Sequence, residues 1–302
     1  MRPLTSRGLL PALLLAATSA LAALTTTVAP PALSITHRAR ALHPGELVVL
    51  TIESTAPLAA IDVRAFGRTE HVREFPAGTA TAYAWRSLIG LDLDVRAGRY
   101  DVTVSATSES GLVTATYPLE IVTKAFPTRR LNVDPNFVNP PASAAARIAA
   151  DAAELARVWS GKSVPIAPGP LSFIRPVPHR ANSAFGTRSI FNGEPRSAHG
   201  GADFLSPTGT PIKAPAPGRV VLAKDLYYTG GTVVIDHGLG IVSLFAHLSA
   251  ITAKAGDAVR AGTMVGQVGA TGRVTGAHLH WTVRVNGARV DPLSLLALLG
   301  PA

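Results

Sequence analysis

Short runs in which apolar and polar residues alternate occur in two separate parts of this 302-residue chain. In the first part, about residues 31–123, they include GELVVLTIES, AAIDVRAFG, RYDVTVSAT and LVTATYPLEIV. Such alternation is typical of β-strands with one buried face, and the Gly, Pro, Ser and Asn residues between the runs are typical of turns. Several short strands at this spacing predict an immunoglobulin-like β-sandwich for the N-terminal part.

The second part extends from residue 171 to residue 302, and its runs include GRVVLAK, GTVVIDHG and HLHWTVRVNG. Frequent glycines between these runs predict a compact antiparallel β domain with tight turns. Residues 124–170 predict a linker that begins with an extended segment rich in Pro and Asn. Within it, ASAAARIAADAAELARVWSG has the apolar spacing of one helix that ends at Gly161. The fold class is therefore predicted to be all-β, with two β domains joined by a helical and extended linker.

Residues 1–23 have the pattern of a secretory signal peptide. Arg2 and Arg7 precede a run of 16 uncharged residues, LLPALLLAATSALAAL, which has small residues around Ala22. An uncleaved membrane anchor is the alternative, but the run is shorter than the roughly 20 residues of a spanning helix and contains Pro11. We therefore expect export to the periplasm or cell envelope, with no stable membrane insertion once the signal is removed.

The charge balance indicates an anionic partner. The chain has a formal net charge of +9, and it contains no cysteine. The lack of cysteine excludes disulfides, Cys-type zinc sites and thiol catalysis. A strong positive charge favours a polyanion such as nucleic acid, an anionic membrane or a cell wall polymer. Nucleic acid is disfavoured because the basic residues are scattered singly and only 6% of residues are aromatic.

Two short segments of the C-terminal part carry the residues with metal-binding chemistry. RSAHGGADF contains His199 and Asp203, and GAHLHW contains His278 and His280. Residues two apart in a strand share a face, so both imidazoles of the second segment should enter the same space. The two glycines of the first segment argue against a helix and favour a loop that folds back. A catalytic zinc keeps three protein ligands and one open position. These four residues are thus four candidates for three ligand positions, and whichever one is not a ligand is free for proton transfer.

These motifs resemble those of the lysostaphin-type (LytM-like) zinc metallopeptidases, which cut peptidoglycan peptides. HGGADF and AHLHW carry the resemblance, with FAHLS between them, and it covers about residues 173–298. The resemblance implies one Zn²⁺ per chain and three zinc ligands, which are His199, Asp203 and His280. It also implies that His247 and His278 are the catalytic histidines. Because no Glu of the H-E-x-x-H kind is present, histidine must supply the acid and base chemistry.

Two neighbouring residues are interpreted on the same resemblance. His237 is expected to be a structural residue of its loop rather than a metal ligand. Phe245 stands where many members of the family have Tyr, so no hydroxyl group acts at this position. The catalytic histidines and the metal ligands are all retained.

The expected function is that of an exported zinc metalloendopeptidase that hydrolyses peptidoglycan stem or cross-bridge peptides. Its positive charge would favour approach to the anionic wall. One alternative is a catalytically weak or inactive protein that binds the wall or activates amidases, although the five filled key positions disfavour it. A second alternative is a wall-binding protein that acts mainly through its β-sandwich. A third is a zinc protease whose substrates are proteins rather than peptidoglycan. The domain order also raises the hypothesis that the N-terminal domain covers the groove. The oligomeric state is not predicted.

Overall fold

The computed structural model describes residues 29–75, 83–132, 138–161, 163, 171–182 and 185–301. The predicted signal peptide of residues 1–23 lies outside these ranges. Within them, no helix has both the length and the apolarity needed to cross a membrane. Strands dominate the described residues, which confirms the predicted all-β fold class.

The N-terminal part forms two antiparallel sheets of four strands each within the described residues, in the orders β1-β2-β6-β5 and β4-β3-β7-β8. The strands are β1 (Leu33–Ala39), β2 (Leu47–Ser54), β3 (Ala60–Ala65), β4 (Arg68–Glu70), β5 (Val72–Phe75), β6 (Tyr83–Gly90), β7 (Gly98–Ser108) and β8 (Gly111–Ile121). Buried Leu50 and Ile52 of β2 meet Val102 and Val104 of β7 in one apolar core. Two sheets that bury their facing side chains in this way form the β-sandwich expected from the alternating pattern.

The segment after the sandwich contains β9 (Thr128–Leu131), a 3₁₀-helix (Ala142–Ala144) and helix α1 (Ala145–Ser160). The helix ends where the sequence predicts, since Gly161 follows it in extended conformation. Leu155, Val158 and Trp159 on one face of α1 pack against a buried apolar cluster of the C-terminal part. The linker helix is therefore attached to that part by apolar contacts.

The C-terminal part is built on a sheet of nine strands among the described residues, with the central order β12-β19-β16-β15-β14-β17. Its elements, together with the preceding β10 and β11, are β10 (Arg188–Phe191), β11 (Glu194–Pro195), β12 (Gly201–Phe204), β13 (Pro211–Lys213), β14 (Gly218–Leu226), β15 (Gly230–Asp236), β16 (Ile241–Ile251), β17 (Ala258–Val259), β18 (Met264–Val268), β19 (Leu279–Val285), β20 (Ala288–Val290) and helix α2 (Pro292–Leu299). Every strand pair among the described residues of this sheet is antiparallel, as predicted.

Three local features differ from the sequence-based expectations. Strand β9 is not a free connector, because it pairs in parallel with β10 and so joins a sheet with β10 and β11. Helix α2 was not predicted, because its sequence PLSLLALL is apolar except for Ser294 and lacks a polar face. The two glycines after His199 do not form a loop together, since β12 begins at Gly201.

The sandwich and the C-terminal part share one apolar core. Leu47, Val49 and Leu88 of the sandwich belong to the same buried cluster as Trp281 and Val285 of β19. The backbone carbonyl of Val285 and the methyl group of Ala288 lie directly against Gly90. The sandwich thus packs against the β19–β20 hairpin. The turn of this hairpin is at one end of β19, and His280 is near the other end.

Ion pairs surround this shared core. Arg40 of the sandwich contacts the Asp291 carboxylate at 2.6 Å, just before α2. Arg289 of β20 contacts the Asp92 carboxylate at 2.6 Å. Burial alone would raise the pKa of Asp92, but hydrogen bonds from Arg289 outweigh it and lower this pKa to about 2. Asp92 is therefore ionised at neutral pH, and the pair with Arg289 persists.

Candidate active site

Three residues that the sequence predicts as metal ligands lie together where β12 and β19 pair. Asp203 of β12 stands opposite His280 of β19 in the ladder. His199 lies two residues before β12, and its Nε2 is 3.0 Å from Asp203 Oδ1 and 3.0 Å from His280 Nδ1. The third side of this triangle, His280 Nδ1 to Asp203 Oδ1, measures 2.8 Å. Each residue is partly buried and offers one ligand atom to a common point.

The donor atoms of this triangle fit a divalent metal ion. Zinc binds histidine nitrogen and carboxylate oxygen at about 2.0–2.1 Å, and a tetrahedron with these bonds has edges of about 3.3 Å. The observed separations of 2.8–3.0 Å are close to that edge length. Three lone pairs and one carboxylate charge converge here, an arrangement that a cation stabilises. The cluster can therefore hold one metal ion.

The surroundings of the triangle fix the protonation of its members. Burial would raise the pKa of Asp203, but the adjacent imidazoles of His199 and His280 outweigh it and hold this pKa well below its usual range. Burial lowers the pKa of His280, which favours the neutral ring. With Nδ1 turned to the triangle, His280 Nε2 donates to Thr282 Oγ1 at 2.9 Å. A second hydrogen bond of this kind orients a ligating imidazole and selects its tautomer.

His278 lies at the edge of the triangle, as its spacing from His280 predicts. Its Nδ1 donates a hydrogen bond to the Gly276 carbonyl oxygen at 2.9 Å. Because a carbonyl can only accept, this bond places the ring proton on Nδ1 and leaves a lone pair on Nε2. That Nε2 lies 3.7 Å from Asp203 Oδ1, farther than the atoms of the triangle lie from one another. His278 is thus beside the potential ligands rather than among them.

His247 approaches the same site from β16 through an irregular backbone. Between Phe245 and Leu248, β16 has one residue more than the facing stretch of β15. This extra residue forms a β-bulge. His247 has a φ of 69°, in the left-handed region that residues other than glycine rarely adopt. Bulges and strained residues of this kind occur at functional sites, where they redirect a side chain.

The bulge places His247 against the other histidines. Its ring centre is 4.9 Å from that of His278 and 6.0 Å from that of His280. Its Nδ1 donates to the Thr271 carbonyl oxygen at 2.9 Å, so Nε2 carries the lone pair. Burial lowers the pKa of His247 to about 3. The imidazole is therefore neutral near pH 7.

The structure brings together all five predicted site residues and separates His237 from them. His237 is buried, with Nδ1 bonded to the Pro217 carbonyl oxygen and Nε2 to Ser243 Oγ. Burial lowers the pKa of His237 to about 4. Both ring nitrogens are used inside the fold, in agreement with the structural role expected for this residue.

The residues that orient the histidines were not predicted from the sequence. Thr282 could have been found, because it lies two residues after His280 and so shares its strand face. The carbonyl groups of Thr271 and Gly276 give no such signal, since any residue type provides a carbonyl oxygen at these positions.

The segment that holds this site matches a known family. Residues 197–292 match the family model described as Peptidase family M23. This range includes all five residues of the site. The chain carries an M23 peptidase domain. The match begins just before His199 and ends at the first residue of α2, so the sandwich and the linker lie outside it.

Relatives of the M23 domain include two bacterial enzymes. The DD-carboxypeptidase/endopeptidase Mpg of Neisseria meningitidis serogroup B is 43% identical over 97 residues, which are 32% of this chain and 22% of that protein. The peptidoglycan DD-endopeptidase ShyA of Vibrio cholerae is 40% identical over 115 residues, which are 38% of this chain and 27% of that protein. The chain thus spans only about a quarter of the length of these curated relatives.

A solved structure resembles most of the chain. The crystal structure of an M23 peptidase from Pseudomonas aeruginosa superposes with a TM-score of 0.62 and 29% sequence identity. It covers 85% of this chain and 95% of its own. The similarity therefore extends beyond the M23 domain into the N-terminal sheets.

Proposed function

We propose that this protein is an exported zinc metalloendopeptidase that hydrolyses peptide bonds in the stem or cross-bridge peptides of peptidoglycan, in the periplasm or cell envelope. The observation that carries the proposal is the convergence of His199, Asp203, His247, His278 and His280 on one point of the M23 domain. The names of the Neisseria and Vibrio relatives support the reaction class and the wall substrate. The net charge of +9 supports association with an anionic wall.

In this proposal His199, Asp203 and His280 hold one zinc ion per chain. When bound, zinc would act as a Lewis acid and supply a water nucleophile at neutral pH. The chain's own residues prepare the site for that chemistry. The Asp203 carboxylate supplies the negative charge that a cation requires. The Thr282 hydroxyl fixes His280 in the tautomer whose Nδ1 lone pair faces the cluster.

His247 and His278 are proposed as the residues that move protons. In each of them Nδ1 donates a hydrogen bond to a backbone carbonyl oxygen, so the lone pair is on Nε2. A neutral imidazole in this tautomer can accept a proton from water at Nε2 and return it to the leaving amine. Once protonated, it can also stabilise negative charge that develops on the scissile carbonyl oxygen.

The central experiment is mass spectrometry of the products released from purified sacculi by the mature protein. We expect peptide-bond cleavage that stops when a chelator removes the metal and returns when zinc is added. Intact sacculi after incubation with the zinc-loaded protein would contradict an endopeptidase activity. Wall binding without any cleavage would instead favour the wall-binding or amidase-activating alternative.

Three variants test the proposed roles separately. His280→Ala should abolish stoichiometric zinc binding, so full zinc content in this variant would contradict its assignment as a ligand. His247→Ala should retain zinc but lose most hydrolysis, and a normal rate on muropeptides would contradict an acid/base role. His43→Ala is a matched control, because His43 lies in the sandwich and contacts the Val122 carbonyl oxygen. This variant should keep both zinc and activity.

A further inference from the structure

The segment that leaves the sandwich is attached directly to the backbone that carries His199. After β8, the amide of Val122 donates to the Leu42 carbonyl oxygen at 2.9 Å, which fixes the start of this segment to the sandwich. Lys124 then contacts Glu46 at 3.6 Å and lies over the Phe126 ring, 5.2 Å from its centre. Phe126 is therefore held from the sandwich side.

The Phe126 ring packs against the backbone of Gly186. A Cβ atom added to Gly186 would lie 2.1 Å from Phe126 Cδ1, so only glycine permits this approach. Gly186 also has a φ of 77°, a left-handed conformation that glycine adopts without strain. Both properties indicate that the ring and this glycine form a fitted contact.

The strand that follows Phe126 continues the attachment. β9 pairs in parallel with β10 over four residues, from Arg188 to Phe191. The amide of Arg188 donates to the Pro127 carbonyl oxygen at 2.9 Å. Arg129 Nε donates to the hydroxyl of Ser189, whose side chain is buried, also at 2.9 Å. The segment is thus bonded to β10 by both backbone and side-chain groups.

The same stretch of backbone holds His199 in place. The amide of Gly186 donates to the His199 carbonyl oxygen at 2.8 Å, and the amide of His199 donates to the Thr187 carbonyl oxygen at 2.9 Å. His199 is therefore bonded to the glycine that Phe126 covers and to the residue after it. The aromatic contact and these two hydrogen bonds connect the linker to the backbone of His199.

We propose that Phe126 is a positioning residue for the metal centre, and that it fixes His199 through Gly186. This makes the sandwich and its linker part of the machinery that presents His199 to the metal. The inference rests on the proposed function in that it takes His199 as a metal ligand. The M23 match begins at residue 197 and does not contain the N-terminal half. The inference assigns a role to that half.

The test is a zinc titration of the full-length apo protein against a competing chelator. Phe126→Ala should bind zinc about 10- to 100-fold more weakly than the wild type, the range typical for loss of an outer residue that orients a metal ligand. Phe126→Tyr keeps the ring face and should restore near wild-type affinity. Met264→Ala is the control, because Met264 lies on β18, outside the sandwich and the linker, and is 42% exposed. It should not change the affinity.

Two further readouts separate positioning from general destabilisation. In the apo protein, hydrogen exchange of the His199 and Gly186 amides should be faster in Phe126→Ala, whereas exchange within the β15–β16 ladder should not change. The hydrolysis rate of Phe126→Ala should return when zinc is raised to saturation. If Phe126→Ala fails to fold, Phe126→Leu keeps the apolar volume without the flat ring, and it should show the same weakening to a smaller degree.

Some outcomes overturn the inference and leave the proposed function intact. Wild-type zinc affinity in folded Phe126→Ala or Phe126→Leu would do so, as would an equal loss in Met264→Ala. If His280→Ala also retained zinc, the metal site itself would be wrongly assigned. The two failures are thus distinguishable in one series of titrations.

Discussion

Replacement of Gly201 by alanine should disturb the metal site, whereas the same replacement at Gly200 should not. Both glycines stand between His199 and Asp203 in the sequence. A Cβ on Gly201 would lie 2.4 Å from the Trp281 carbonyl oxygen and 2.8 Å from the His280 ring. A Cβ on Gly200 would meet no atom within 4 Å among the described residues. The pair therefore provides a test and its control one residue apart.

The size of the effect follows from these distances. A carbon–oxygen contact normally needs about 3.3 Å or more, so β12 and β19 would have to separate by roughly 0.9 Å at Gly201. Metal–ligand distances tolerate changes of only about 0.2 Å. Since Asp203 of β12 and His280 of β19 are paired in this ladder, their donor atoms would move apart. Overpacking of this kind costs about 1–3 kcal/mol of stability, and we expect zinc binding to weaken about 10- to 100-fold.

The assay combines chelator-competition titration of zinc with thermal unfolding of the apo protein. Gly201→Ala should lower both the zinc affinity and the unfolding temperature. Gly200→Ala should leave the affinity unchanged and the unfolding temperature equal or slightly higher, because alanine restricts the unfolded chain. Equal zinc affinities for the two variants would refute the reasoning, since they would show that close contact between β12 and β19 is not needed at the site.

Three other variants test contacts around the site and between the two halves. Burial raises the pKa of Glu70 from 4.5 to about 7, so the folded protein holds a proton that the unfolded chain releases, and Glu70 lowers stability as the pH rises through this interval. Glu70→Gln should therefore gain about 3 kcal/mol relative to the wild type between pH 4.5 and pH 8 in denaturant titrations, and a pH-independent difference would contradict this. Thr282→Val removes the acceptor for His280 Nε2 and should weaken zinc binding about 10- to 100-fold without unfolding the protein. Ser294→Ala leaves the buried amide of Leu47 without its 3.0 Å acceptor and should lower the free energy of unfolding by about 1–3 kcal/mol, measured with urea.

The parts of the fold that the sequence predicted are those whose signal is local. The strands of the sandwich alternate apolar and polar residues along a few consecutive positions, and α1 repeats its apolar residues within one helix. The His278 and His280 pair was placed on one face by strand periodicity alone. Zinc-ligand chemistry grouped this pair with His199 and Asp203 as four candidates for three places, and the resemblance then assigned three of them as ligands.

The parts that the sequence did not predict depend on distant partners or on a competing signal. β9 finds its partner β10 nearly 60 residues later in the chain, and nothing in TRRL specifies that pairing. Helix α2 lacks a polar face because it is packed into the core, although Asp291 followed by Pro292 is a typical helix start. The bulge that directs His247 leaves no mark in FAHLS, because the extra residue is evident only against β15.

The same distinction explains why the site cannot be understood from the M23 domain alone. The chemistry-bearing side chains fall within a segment that a family comparison detects. Their positions, however, depend on groups outside that segment. Phe126 and β9 hold the backbone before His199, and Leu47 and Leu88 complete the core behind β19. A metal site tolerates small errors in distance only, so it is sensitive to these supports. We therefore expect the N-terminal sandwich to influence the metal site through geometry.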